Sequence, residues 1–104
     1  MFIINWSNSI IGNLSDISTD MWYISGSWSP NDTKKTTEFI NTLRSYDRNL
    51  ALNNPAKALK VILVSPEDAE AKLYCIVLSL DESELLLRQV VSQEALDVFF
   101  PDRI

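Results

Sequence analysis

The clearest strand signal in this chain is DMWYISGSW, residues 20–28, in which the side chains alternate between two faces. One parity holds Trp22, Ile24, Gly26 and Trp28. A two-residue period that is rich in aromatic and β-branched residues favours a half-buried β-strand. We therefore predict that Trp22 and Trp28 lie in the core. Met21 and Tyr23 are on the opposite face, and we expect them to be exposed if a helix covers only one side of the sheet.

Two shorter strands are predicted before this one. The first has Phe2, Ile4 and Trp6 on one face, and the second has Ile10, Gly12 and Leu14 on one face. Residues 7–9 and 15–20 are rich in Ser, Asn and Asp, which favour turns, so we expect the chain to reverse there. The first third of the sequence therefore predicts a three-stranded meander.

A long amphipathic helix is predicted after the meander. Ser29 or Asn31 is expected to cap it, with Pro30 in the first helical position. Apolar residues then recur at three- and four-residue spacing, which is typical of one buried helical face. This stripe consists of Thr36, Phe39, Ile40, Leu43 and Tyr46, with Leu50 as a further candidate. We expect the helix to end at residues 53–55, because the residue before a proline avoids helical geometry.

The second half of the chain repeats this order of elements. Strands are predicted at residues 59–64, 72–80 and 84–91, and Ser92 is expected to cap a short helix that Pro101 ends. Short connections between strands imply antiparallel pairing. The sequence therefore predicts one α+β domain over residues 1–104, in the order β-β-β-α-β-β-β-α. Its antiparallel sheet would have about six strands, one long helix packed on one face and a short C-terminal helix.

The chain lacks side chains on which much enzyme chemistry depends. It contains no histidine, which is the usual acid–base group near neutral pH and a frequent metal ligand. Its single cysteine, Cys75, lies in the apolar run LYCIVL, residues 73–78, where a buried thiol is unreactive. With only Gly12 and Gly26, no phosphate-binding glycine loop can be written. We therefore expect a non-catalytic protein with no cofactor and no metal site.

Charge is unevenly distributed along the chain. Residues 1–33 contain no Lys or Arg, residues 34–60 contain six basic and two acidic residues, and residues 61–104 contain nine acidic and three basic residues. The net charge of −5 disfavours nucleic-acid binding, because it repels phosphate. No apolar run is long enough to cross a membrane, and one cysteine forms no internal disulfide, so we expect a cytoplasmic protein without a membrane partner.

These features favour a protein-interaction module, such as an immunity- or antitoxin-like acidic inhibitor. An acidic surface would steer the protein towards a basic partner, and toxins that attack nucleic acids are usually basic. The candidate contacts are six acidic residues and two exposed apolar ones: Glu67, Asp68, Glu70, Asp81, Glu82, Glu84, Met21 and Tyr23. The structural alternative is that the acids are simply solvated residues at hairpin turns and in loops.

Two other functions are compatible with the same residues. The first is a homo-oligomeric domain, in which Met21, Tyr23 and Leu86 would lie at a two-fold contact on a thinly covered sheet face. The second is a small-ligand sensor with an aromatic-lined pocket around Trp6 and Trp28.

Overall fold

Six β-strands form a closed barrel in the computed structural model, which describes residues 1–47, 53–54, 58–68 and 70–102. The described elements are β1 (Phe2–Trp6), β2 (Ser9–Asp20), β3 (Tyr23–Pro30), α1 (Lys34–Arg44), β4 (Lys60–Val64), β5 (Lys72–Asp81), β6 (Glu84–Gln89) and α2 (Gln93–Phe99). Around the barrel the order is β1-β2-β3-β6-β5-β4, and every pairing is antiparallel. We call the end at which β1 begins the upper end and the opposite end the lower end.

The α+β class, the six antiparallel strands and the order of elements are confirmed. The closure is a difference from the predicted open sheet, because β1 pairs with β4, and Ile4 lies opposite Leu63. Two-residue turns join β1 to β2, β2 to β3 and β5 to β6. Each turn contains at least one residue with positive φ, as tight hairpins require.

Three irregularities in strand register keep apolar side chains directed into the barrel interior. In β2 an extra residue opposite β1 turns Ile11 inward and leaves Ile10 half exposed, so the predicted inward face of β2 is wrong at Ile10. A second bulge places Asp16 at φ 52° and lets Ile17 pack against the core, where a turn was expected. A third adds Leu78 to β5. Bulges of this kind bend and twist strands, which helps a sheet to close.

The barrel interior is filled by side chains from all six strands. Its fully buried members include Ile4, Leu14, Leu63, Val77, Leu85 and Leu87. Trp28 belongs to this core, as predicted, but Trp22 is 48% exposed. The prediction for Trp22 is wrong because β3 starts one residue later, which leaves Trp22 in the turn. Gly12, at φ 141°, is where β2 comes close to Trp28, and a Cβ there would lie 2.7 Å from Trp28 Nε1.

The helix α1 is 11 residues long, so the predicted long helix is wrong. Thr33 is the N-cap, instead of Ser29 or Asn31, since β3 continues to Pro30. The helix ends where the N–H groups of Ser45 and Tyr46 donate to carbonyls three residues back, which tightens the last turn. The Tyr46 hydroxyl then accepts the Leu59 N–H at 3.2 Å. The predicted helical positions 48 and 50 lie outside the described residues.

A three-ring contact fixes α1 across the lower end of the barrel, instead of on a sheet face. Phe39 is fully buried, and its ring lies 5.2 Å from that of Trp6 and 5.4 Å from that of Trp28, both edge-on. Trp6 ends β1 and Trp28 lies near the end of β3, so Phe39 joins two strands that are not neighbours. Edge-to-face aromatic pairs stabilise beyond the area that they bury.

The second helix, α2, packs on the outside of the barrel. The Ser92 hydroxyl caps it by accepting the Ala95 N–H at 3.2 Å, which confirms the predicted cap. Ile76, Val90 and Phe100 form an outer apolar cluster, in which the rings of Tyr74 and Phe100 are 5.1 Å apart. Within the described residues, no helix has the length and hydrophobicity to span a lipid bilayer.

Burial makes Cys75 a probe of barrel opening. The side chain is fully buried, and burial raises the pKa of the Cys75 thiol from its ordinary value of 9.0 to about 12. The native thiol therefore keeps its proton at pH values at which the unfolded chain loses it. Stability that is present below pH 9 is consequently lost as the pH rises towards 12.

We expect the Phe39→Ala variant to lose about 3–5 kcal/mol of unfolding free energy, because a fully buried ring is removed between two others. The measurement is urea denaturation followed by tryptophan fluorescence. Val98→Ala is the control, because Val98 is exposed on α2 and its truncation should change stability by less than about 0.5 kcal/mol. Equal losses in the two variants would contradict the position of α1.

We expect the unfolding free energy of the natural chain to fall by about 1.4 kcal/mol more than that of Cys75→Ala between pH 8 and pH 10. Tyrosine and lysine titrations are common to both proteins and cancel in the comparison. Urea denaturation of the two proteins at each pH gives the difference. A parallel pH dependence would show that Cys75 is accessible to water in the folded barrel.

Candidate functional site

The structure divides the predicted contact residues between the two ends of the barrel. Five of them are at the upper end, where β3 starts and where β4 leads into β5: Met21, Tyr23, Glu67, Asp68 and Glu70. Three lie at the lower end, at the β5–β6 turn: Asp81, Glu82 and Glu84. Strand β5 separates the two acidic groups, and its ten residues span about 30 Å. The acids therefore do not form one continuous patch.

Three large apolar side chains are exposed in sequence at the β2–β3 turn. We call Met21, Trp22 and Tyr23 the aromatic tip; they are 83%, 48% and 46% exposed. The hairpin is anchored because Asp20 pairs with Tyr23, and the Gln89 N–H donates to the Trp22 carbonyl at 2.7 Å. Met21 and Tyr23 are thus exposed, but for a different reason from the expected one: Met21 lies in the turn and Tyr23 is on the outside of a closed barrel. The tip is therefore a fixed apolar projection on the β-barrel.

A hollow of about 280 Å³ lies directly beside the aromatic tip. Trp22 forms one side of it, α2 contributes Ala95 and Phe99, and Arg88 and Val91 complete the rim. Val91 is itself 45% exposed. Arg88 is the β6 residue opposite Tyr23, so the rim and the tip are continuous across two paired strands. This surface combines exposed anchors with a concavity of side-chain size.

The acidic loop between β4 and β5 is held by its own hydrogen bonds. The Asp68 carboxylate accepts the Glu70 N–H at 3.1 Å, and the Ser65 hydroxyl accepts the Glu67 N–H at 3.3 Å. The Ala71 N–H donates to the Asp68 carbonyl, and the Ser65 N–H to the Ala71 carbonyl. Asp68 thus has a structural role in the loop, and all three acidic residues are exposed at the upper end of the barrel.

The lower acidic turn has a different setting. Asp81 and Glu84 are the paired residues that flank the turn, and Glu82 has φ 56°. The Ser83 carbonyl accepts the Trp28 N–H at 2.8 Å, which ties the turn to β3. This placement fits the structural alternative stated above, in which acidic residues simply occupy a solvated hairpin.

The aromatic pocket expected around Trp6 and Trp28 is divided in the structure. Trp28 lies inside the barrel, whereas Trp6 lines an outer groove of about 820 Å³ together with Tyr74, Phe99 and Phe100. We call this the lysine groove, because Lys60 and Lys72 also line it. Sequence reasoning did not find this groove or the role of Trp22. The available signal was the outward parity of Lys60, Ile62 and Val64 in β4.

No three acidic or cysteine side chains come together in a way that could hold a metal ion, within the residues that the structure describes. Comparisons of the chain with protein-family models, with curated protein sequences and with solved structures gave no match. The aromatic tip and the lysine groove are therefore interpreted from their own geometry and charge.

Proposed function

We propose that this protein is a non-catalytic protein-interaction module that contacts a basic partner through the aromatic tip and the hollow beside it. The observation that carries this proposal is the consecutive exposure of Met21, Trp22 and Tyr23 on an anchored hairpin. Soluble proteins rarely expose large apolar side chains side by side unless that surface binds something.

The chemistry of the tip suits a protein–protein contact. Tryptophan and tyrosine are enriched among the residues that dominate binding energy, because they bury a large area with few rotatable bonds. The hollow beside Trp22 would accept one partner side chain, and burial of such anchors in pockets is the usual arrangement at strong contacts. Tyr23 and Val91 would extend the apolar contact on either side.

Charge at the upper end favours a basic partner. Asp20 flanks the tip, and Glu67, Asp68 and Glu70 are in the loop at the same end, against Lys72 and Arg88. Acidic residues around an apolar centre accelerate association with a basic surface and disfavour acidic competitors. An immunity- or antitoxin-like inhibitor of a basic toxin has these requirements, and we propose that role as the specific form of the function.

The backbone at Met21 gives further support. Met21 has φ 56°, a region that Gly, Asn or Asp occupies at lower cost than a long side chain does. A glycine would suit the turn better, so the methionine side chain has no evident benefit for folding at this position. Contact of the Met21 side chain with a partner would explain why methionine occupies this position.

We expect Met21→Gly to retain the stability of the natural chain or to exceed it by up to about 1 kcal/mol, because positive φ is easy for glycine. Together with Trp22→Ser it should lower partner capture at least tenfold. Immobilised proteins would be incubated with extract of the producing cells, and captured proteins quantified by mass spectrometry.

The matched control is Ile10→Ser, which alters a side chain of 50% exposure near the lower end. A partner is assigned to the tip only if the control retains it and the tip variant loses it. Equal capture by both variants would contradict the proposal. Self-association lost only in the tip variant, detected by sedimentation, would instead identify a second copy as the occupant and overturn the basic partner.

The two acidic groups provide a charge-matched comparison. Neutralising the upper group (Glu67→Gln, Asp68→Asn and Glu70→Gln) should slow association severalfold at low salt, and the effect should shrink at high salt. Neutralising the lower group (Asp81→Asn, Glu82→Gln and Glu84→Gln) changes net charge equally and should have a smaller effect. Stopped-flow association at two salt concentrations measures this, and equal slowing would contradict a contact at the upper end.

A further inference from the structure

The lysine groove differs in charge from the rest of this acidic molecule. Lys60 and Lys72 line it, against one acidic lining residue, Asp102, although the chain as a whole has a net charge of −5. Neither lysine forms an ion pair with another residue in the part of the chain that the structure describes. The groove is thus a locally basic, open concavity with two available ammonium groups.

The strand register determines how the groove floor is arranged. Asn5, Ile62 and Tyr74 form one row across three paired strands. Lys72 lies beyond this row towards the upper end, opposite Val64, and Lys60 lies beyond it towards the lower end. The apolar centre is therefore flanked by a lysine on each side. The two lysine Cα atoms are roughly 14 Å apart, from four residues along the strand and one strand across.

The walls of the groove are aromatic. Phe99, the last residue of α2, and Phe100 line one side, and Phe100 is fixed by its edge-on contact with the Tyr74 ring. Trp6 and the β1–β2 turn form the other side. An apolar side chain placed over Ile62 and Tyr74 would be enclosed by aromatic surface. The aromatic walls therefore favour an apolar group at the centre of the groove.

We infer that the lysine groove binds an extended acidic peptide segment in which one apolar residue lies between two acidic residues. In an extended peptide, residues i, i+2 and i+4 face the same side, and the outer two are about 13 Å apart. That spacing matches the two lysines. The segment is therefore acidic–x–apolar–x–acidic, with its carboxylates at Lys60 and Lys72 and its central side chain above Tyr74.

This inference does not depend on the aromatic tip, which faces a partner of the opposite charge. The groove and the tip lie on opposite sides of α2. Phe99 lines both the lysine groove and the hollow beside the aromatic tip. The groove can therefore be tested in protein that carries the Met21→Gly substitution. Peptide binding there would separate the two sites, whatever the outcome for the tip.

The test is a titration of the full chain with acetylated and amidated heptapeptides, followed by backbone amide NMR shifts. The peptide SESFSES should shift the amides of Ile62, Tyr74 and Phe100 in a saturable way. The peptides SKSFSKS and SESSSES should bind at least fivefold more weakly, since one reverses the charge and the other lacks the apolar centre. Binding of all three alike would overturn the inference.

Charge variants complete the test. Lys60→Gln and Lys72→Gln should each weaken SESFSES binding roughly threefold, as expected for an exposed ion pair. Lys34→Gln is the matched control, because Lys34 is exposed at the start of α1 and does not line the groove. Unchanged affinity in the double variant Lys60→Gln/Lys72→Gln, or concentration-dependent dimerisation that this variant abolishes, would overturn the proposed occupant.

Discussion

The pairing of β1 with β4 is the constraint on which the rest of this structure depends. It joins the two three-stranded halves of the chain at their outer edges, so that a sheet with two faces becomes a barrel with one interior. The interior is filled by aliphatic side chains, by Trp28 and Cys75, and by the Phe39 ring from α1. A six-stranded barrel whose interior is packed in this way leaves its outer surface for binding, and both candidate surfaces are on that side.

The outer surface is organised by α2. This short helix covers Ile76 and Val90, and its end is fixed by the contact of Phe100 with Tyr74. A hollow lies on each side of it, one next to the aromatic tip and the other between the two groove lysines. This helix of seven residues thus contributes one wall to each of two cavities, which differ in charge and size.

Much of the local structure was predictable from the sequence, because strands with one buried face alternate regularly. In β6 the inward positions Leu85 and Leu87 are fully buried, and Ser92 caps α2 as predicted. Closure was not predictable, because nothing local in β1 or β4 specifies their pairing. The sequence also gives no sign of the bulges. Because β2 has one extra residue opposite β1, Ile11 is in the core and Ile10, which was expected there, is half exposed.

The candidate site was predictable only in part, for related reasons. The outward position of Tyr23 follows from strand parity, but Met21 and Trp22 form a tight turn that interrupts the alternation, so parity wrongly predicts that Trp22 lies inside. The acidic residues are close in sequence, but β5 carries them to opposite ends of the barrel, which their spacing along the chain does not show. The lysine groove is assembled from four separate segments of the chain. The distance between its two lysines is set by the register of β4 with β5, which the sequence does not show.

A closed barrel has one further consequence for recognition. Each of the six described strands is hydrogen-bonded to a neighbour on both sides over part of its length, so the unpaired edges that β-augmentation requires are confined to overhangs, such as residues 15–20 of β2 beyond β1. Along the paired parts of the strands a partner would be recognised through side chains, because the backbone hydrogen-bonding groups there are already paired. Substitutions in the tip or the groove could retune partner choice while the backbone scaffold stays intact.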